Sequence, residues 1–178
     1  SSIAHMGFAL IGLISPLSPL GVQALLIYML IYIVTNLGVF ACIISLETNE
    51  GDTISNIDEL SGLSKKYPFI AFSFAMLMFS FAGIPPLAGF FAKFYVFMAV
   101  IEAEMYALAI IGVVTTVVSA FYYLRIIKII YFDKPNKPFD ESYDWGLKSS
   151  LILSSILILT YFIYPSILTN VVYSIKIY

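Results

Sequence analysis

From Pro68 to Ile101 the chain runs through aliphatic and aromatic residues with a single charge, Lys93, and the run is interrupted by Gly83-Ile84-Pro85-Pro86-Leu87-Ala88-Gly89. About 20 mostly apolar residues cross a hydrocarbon core of roughly 30 Å, so this stretch is too long for one straight crossing. Two prolines and two glycines remove backbone donors and weaken the helix, so the segment reads as a membrane span broken near its middle. Composition agrees: 61% of residues are hydrophobic, 11% are charged and mean hydropathy is +0.97. A soluble fold of 178 residues has too little interior to hide that much apolar surface.

The same length criterion gives an all-α membrane protein of about five transmembrane helices, arranged as one membrane domain over 1–178. The first, 1 to about 15, is short enough to be the second half of a truncated span, and Pro16 and Pro19 end it. The second runs from about 20 to 46, the broken third from 68 to about 101, the fourth from 104 to 131 and the fifth from about 146 to 164. Pro165 then opens a short amphipathic tail. Polar loops lie at about 47–67 and 132–145. Lys65, Lys66, Arg125, Lys128, Lys134, Lys137 and Lys148 flank those two loops and only Lys176 falls on the other side, which places the loops on the matrix or cytoplasmic face and the C-terminus opposite. The chain opens with Ser1-Ser2-Ile3, without an initiator Met, a basic n-region or a cleavage site, so it does not begin with a signal peptide and reads as a piece whose beginning lies elsewhere.

Several function classes drop out. A net charge of −2, with no basic cluster interleaved with aromatics, gives no reason to expect nucleic acid. One cysteine, Cys42, inside an apolar stretch reads as a small buried hydrophobe and builds no disulfide or metal centre. There is no glycine-rich nucleotide loop and no Ser, His and Asp constellation, so neither NADH nor flavin is expected to bind this chain, and no metal or cofactor site is expected in it.

What remains is chemistry inside the membrane. Lys93 lies nine residues before Glu102, about 14 Å from that surface at 1.5 Å per helical residue, close to the midplane. A charged lysine at that depth costs about 2.5–3.5 kcal/mol on insertion scales and therefore faces a hydrated interior or a partner. It follows the break by one turn, where freed backbone groups must line a cavity or be buried in protein. A proton relay and a static intramembrane ion pair both account for it. His5, the sole histidine, shares a helix face with Ser1 and stands beside Ser2; a relay and a satisfied core histidine are balanced readings. Thr35, Asn36, Thr115, Thr116, Tyr122 and Tyr123 are polar positions that hydrate a channel or bond between helices. Glu102 and Glu104 form a solvated rim or an acidic exit.

The stretches Ser1-Ser2-Ile3-Ala4-His5-Met6-Gly7-Phe8, Ala82 to Phe94 around the break, and Phe121-Tyr122-Tyr123-Leu124-Arg125 resemble the C-terminal portion of the chain 2 (bacterial subunit N) family, the antiporter-like membrane subunits of respiratory complex I. The paralogous chain 4 carries glutamate where this sequence has Lys93, and the Gly-Ile-Pro-Pro-Leu-Ala-Gly-Phe wording favours chain 2 over chain 5. The resemblance implies the C-terminal half of an antiporter-like fold that moves protons, driven by quinone reduction elsewhere. Lys93 would be the titratable residue of a broken-helix half-channel, and His5 part of the axis between half-channels. Pro85, Pro86 and Gly89 shape the break, with Ser1, Ser2, Asn36, Thr115, Tyr122 and Tyr123 in support. The resemblance also implies partner subunits: an upstream N-terminal half carrying its own lysine and glutamate, a neighbouring antiporter-like chain, and subunits holding FMN, iron–sulfur clusters and ubiquinone. The upstream helices are missing from this sequence, as in a split gene or a fragment. Membrane lipids surround the whole. Abundant Ile, Phe and Tyr hint at an AT-rich genome, hence the mitochondrial inner membrane, with a bacterial plasma membrane as the alternative. A structural scaffold and a subunit of a multisubunit sodium–proton antiporter are the competing functions.

Overall fold

The computed structural model describes residues 1–14, 19–48, 54–135, 139–141, 144–166, 169, 170 and 172. In it the expected spans are helices: α1 (Ser2–Ile14), α2 (Pro19–Ile44), α4 (Pro68–Ala82), α5 (Ala88–Glu102), α6 (Tyr106–Phe132) and α7 (Trp145–Ile163), with a short α3 (Leu63–Lys66) ahead of α4. Three of them, α2, α6 and α7, are long and apolar enough to cross a membrane alone. The expected third span is two half-helices of 15 residues each, about 22 Å apiece, and neither half reaches across by itself. Pro16 and most of the expected C-terminal tail lie outside the described residues.

Local chemistry sets these boundaries. Pro19 and Pro68 open α2 and α4 as first helical residues, where a missing N–H costs nothing. Asp144 caps α7, its side chain accepting from the Gly146 N–H at 2.7 Å. Gly83 ends α4 at φ 83°, and the following Ile84 N–H reaches back to the Phe79 carbonyl at 3.1 Å, the hydrogen-bond pattern that favours glycine at this position.

Helix α2 is the hub of the fold, packed on α1, α4, α5 and α7. Tyr28, Ile31, Thr35 and Cys42 of α2 are buried in the core, and Cys42 is the small apolar filler its context implies. Helix α6 leans on α4 and α5 and turns Ile110, Val114, Val117, Val118 and Phe121 outward, an apolar face suited to lipid or a neighbouring helix.

One feature of the polar loops differs from expectation. Residues Leu46–Thr48 (β1) and Phe139–Glu141 (β2) pair as a two-stranded antiparallel sheet, with Leu46 opposite Glu141 and Thr48 opposite Phe139. Three-residue strands carry too little alternation to be read from sequence. The pairing ties the two loops together, and the Ser64 hydroxyl adds a bond to the Ile130 carbonyl at 3.0 Å. Both loops therefore lie at one end of the bundle.

Candidate functional site

The break in the third span leaves two helix ends at membrane depth. Such ends expose the last carbonyls of α4 and the first N–H groups of α5, which carry the negative and positive poles of the half-helix dipoles. In hydrocarbon no water is available to satisfy them, so the protein must. Here each half-helix serves the other. Lys93, in the second turn of α5, donates from Nζ to the carbonyl oxygens of Phe81 (3.0 Å) and Ala82 (3.2 Å) at the end of α4. Ser80, in the last turn of α4, accepts from the Gly89 N–H at 3.1 Å through its hydroxyl. The clasp needs a close approach of backbones: a Cβ on Gly89 would collide with the Ser80 carbonyl, and one on Gly83 would press on the Lys93 side chain at 3.0 Å.

Lys93 is 5% exposed, and its Nζ also stands 5.3 Å from the centroid of the Phe8 ring, a cation–π distance. Among the described residues, the hydrogen-bond partners of the amine are thus the two carbonyls rather than a carboxylate. Its chain borders a cavity of about 10 Å³, lined by His5, Tyr28, Tyr32, Thr35, Ser80 and Lys93 along with Ile31, Phe81, Gly89 and Ala92. That is room for about one water. Where the sequence leads one to expect a hydrated interior, Lys93 borders a small pocket whose wall is mostly apolar, with a few polar side chains reaching into it.

Across the pocket from the clasp, both ring nitrogens of His5 are bonded to phenols: Nδ1 to the Tyr28 hydroxyl at 2.6 Å and Nε2 to the Tyr123 hydroxyl at 2.8 Å. The rings of Tyr32 and Phe81 pack at 5.0 Å centroid distances. His5, Tyr28 and Lys93 each lie nine residues, roughly 14 Å along the axis, from one end of their helices, at Ile14, Pro19 and Glu102 respectively, so three different helices bring polar groups together.

Of the remaining expected positions, Tyr123 joins this cluster, with Ser1 and Tyr122 within hydrogen-bonding reach of it, and Gly89 builds the clasp. The others stand apart. Pro85 and Pro86 form the exposed elbow of the break. Ser2 and Asn36 line an outward groove with Leu37 and Phe40, and the Asn36 amide bonds the carbonyl of Tyr32 on its own helix at 2.9 Å. Thr115 is exposed on α6 and its hydroxyl bonds the Gly112 carbonyl one turn back at 2.9 Å. Thr35 does likewise to Ile31 at 2.7 Å, yet lines the pocket. Sequence reasoning missed Tyr28, Tyr32 and Ser80. A signal was available for the first two: Tyr28, Tyr32 and Thr35 recur at helical spacing on one face of an otherwise apolar α2.

A bundle of apolar helices with one broken in its middle, and an amine on one half-helix held by the other, is the construction of membrane transporters with discontinuous helices. Comparison with known proteins makes it specific. The family model described as NADH:quinone oxidoreductase/Mrp antiporter, TM matches residues 1–119, and the chain belongs to that family. Over 177 residues it is 54% identical to NADH-quinone oxidoreductase subunit N of Pelagibacter ubique, covering 99% of this chain and 37% of that protein. Over 166 residues it is 54% identical to the protein of the same name from Parvibaculum lavamentivorans, covering 93% and 34%. The chain thus spans about a third of the length of these relatives, their C-terminal part, rather than half. Among solved structures it is similar to a chain of respiratory complex I from Thermus thermophilus, with a TM-score of 0.81, 27% identity, and coverage of 95% of this chain and 38% of that one. A chain of the Mrp complex from a Dietzia species shares the fold, with a TM-score of 0.78 at 21% identity.

Proposed function

We propose that this chain is part of a proton-translocating membrane subunit of an NADH:quinone oxidoreductase, with Lys93 as its exchangeable proton carrier. One observation supports the reading: a buried amine bonded to the carbonyl pole of a half-helix and bordering a small pocket that His5, Tyr28, Tyr32 and Thr35 also line. A carbonyl pole stabilises the ammonium without a fixed counter-ion, so the proton can leave without stranding a buried carboxylate. Charge arriving along the membrane axis from quinone reduction elsewhere would shift the balance between the two states of the amine, and His5 would relay the proton.

The proposal extends to its setting. FMN, iron–sulfur clusters and ubiquinone belong to partner subunits; the upstream part of the same subunit and a neighbouring antiporter-like chain lie beside it in the lipid. The loops at 47–67 and 132–145 face the matrix or cytoplasm. The membrane is an energy-coupling one; the mitochondrial assignment rests on composition alone, since the relatives described above are bacterial.

In the assembled complex, Lys93→Ala is expected to cut proton translocation per electron pair sharply while assembly persists. Unchanged translocation in a fully assembled complex overturns the role. A purely structural scaffold predicts failed assembly instead. The family name and the shared fold also admit a sodium–proton antiporter without a dehydrogenase. Co-purification of flavin and iron–sulfur subunits with the chain separates that reading from the first.

A further inference from the structure

We infer that the cavity at the loop end of the bundle, between the start of α4 and the start of α7, binds an anionic phospholipid, with its phosphate between Lys66 and Lys148 and its acyl chains along the apolar faces that follow them. The cavity measures about 280 Å³, against about 10 Å³ beside Lys93, and it lies at the ends of helices rather than in their middle. Two lysines from different elements line it: Lys66 closes α3, and Lys148 completes the first turn of α7. Apolar side chains of the lining continue from each lysine at the same spacing. Phe69 and Ile70 follow Lys66 by three and four residues, and Leu151 and Ile152 follow Lys148 by three and four. On α7 that spacing is one helix face, so the lysine heads an apolar stripe; on the other wall the chain bends at Tyr67 before α4 takes up the run. A cation at the head of a hydrocarbon strip, on each of two adjoining walls, complements a phosphate with its chains, whereas a soluble anion makes no use of the strips.

The level suits a headgroup. Trp145, the first residue of α7, is exposed, and Tyr67, between α3 and α4, lines the cavity; both residue types collect where hydrocarbon meets headgroups. Phe69 and Ile152 are 57% and 41% exposed, large apolar side chains that acyl chains cover. Lys66 is exposed and Lys148 half-buried, and their flexible stems let both ammonium groups reach one phosphate. Among the described residues, no carboxylate is in the lining. The Ser45 hydroxyl on the wall is committed to its own helix, donating to the Cys42 carbonyl at 2.8 Å. Recognition therefore rests on charge rather than on a fixed set of hydrogen bonds: anionic headgroups of differing shape fit, and a zwitterionic one, which brings its own cation toward the lysines, is disfavoured. Basic pockets between helices at a membrane surface hold anionic headgroups in this way. The bound lipid ties α3 and α4 to α7 at the end of the bundle where β1 and β2 already link the two loops. Lipid binding here is independent of what Lys93 does.

The test places the assembled complex in vesicles of phosphatidylcholine and phosphatidylglycerol, with a photoreactive group near the top of an acyl chain of one lipid or the other, and reads the crosslinked peptides by mass spectrometry. A lysine near the membrane surface adds about fivefold to the binding of an anionic lipid, so in the unaltered complex phosphatidylglycerol is expected to label peptides carrying Phe69, Ile70, Leu151 or Ile152 about 25-fold more strongly per lipid than phosphatidylcholine does. Lys66→Gln or Lys148→Gln alone is expected to lower that preference to about fivefold, and the double variant to abolish it, while Lys66→Arg with Lys148→Arg keeps it. Equal labelling by the two lipids in the unaltered complex, or a preference that survives the double Gln variant, overturns the site. So does the absence of label from either lipid at these peptides, the result if another subunit covers the cavity. Label that inorganic phosphate abolishes and chloride of the same ionic strength does not assigns the lysines to a soluble anion and overturns the lipid. Should the double variant fail to assemble, the comparison of the two lipids in the unaltered complex decides alone: preference for phosphatidylglycerol at these peptides upholds the site and its absence overturns it.

Discussion

Two interruptions divide the stretch from α4 to α6, and they are built in different ways. At the break, Gly83–Leu87, side chains are added to the backbone turn bonds that end α4: Lys93 donates to the Phe81 and Ala82 carbonyls, and the Ser80 hydroxyl accepts from the Gly89 N–H. The turn at Ala103–Met105 lies at the surface, and there backbone bonds suffice: Ala103 N–H to Ala99, Glu104 N–H to Ile101 and Met105 N–H to Val100, with the side chain of Glu104 exposed. The difference follows from the solvent. Water completes the hydrogen bonds of a helix end at a surface, while in hydrocarbon each unmet group costs several kcal/mol, so an interruption survives there only with dedicated partners. A lysine that serves as such a partner is also an ionisable group in the one place where ionisation is expensive, and that coincidence makes the break a candidate site where the turn is only a connection.

Substitutions at the two places sharpen the contrast. Gly89→Ala sets a Cβ against the Ser80 carbonyl, a backbone atom with nowhere to go; a loss of about 3 kcal/mol is expected, seen as a lower melting temperature of the purified assembly or as failure to assemble. Lys93→Met keeps the packing volume but strips the Phe81 and Ala82 carbonyls of their donor, for an expected cost of about 1–3 kcal/mol by the same measurement. Ser80→Ala removes the cap on α5 and is expected to cost about 1 kcal/mol, with faster hydrogen exchange confined to the Gly89 amide and its neighbours. At the surface turn the sign reverses. Glu104 sits at φ 58°, a left-handed conformation that disfavours side chains, so Glu104→Gly is expected to be neutral or to stabilise by about 1 kcal/mol. A large loss from Glu104→Gly, or none from Gly89→Ala, breaks the comparison.

How much of this was legible in the sequence depended on which groups did the work. The break and the burial of Lys93 could be read because prolines, glycines and a lone charge in an apolar run have direct consequences for a helix in lipid. The acceptors on Lys93 could not, because backbone carbonyls have no sequence signature. Asn36 and Thr115 enter the expected site as polar residues within spans, and Ser2 through its place beside His5. A hydroxyl or amide in a span can instead bond a carbonyl one turn back on its own helix, as Asn36 and Thr115 do, and then faces wherever the helix face points. Tyr28 is harder to single out for the opposite reason: tyrosine is ordinary in a membrane helix, its spacing with Tyr32 and Thr35 is the one trace in the sequence, and the tertiary meeting of α1, α2 and α6 at His5 gives it its partner. The β1–β2 pairing was hidden by its brevity.

One amine belongs to both halves of the broken helix, and a map of the assembled complex that resolves waters tests that bond most directly. The prediction is Lys93 Nζ within hydrogen-bond distance of the Phe81 and Ala82 carbonyls, with one water joining the amine to Tyr28 or His5. A Lys93 side chain turned to lipid, or paired with a carboxylate of another subunit in a dry pocket, would contradict it.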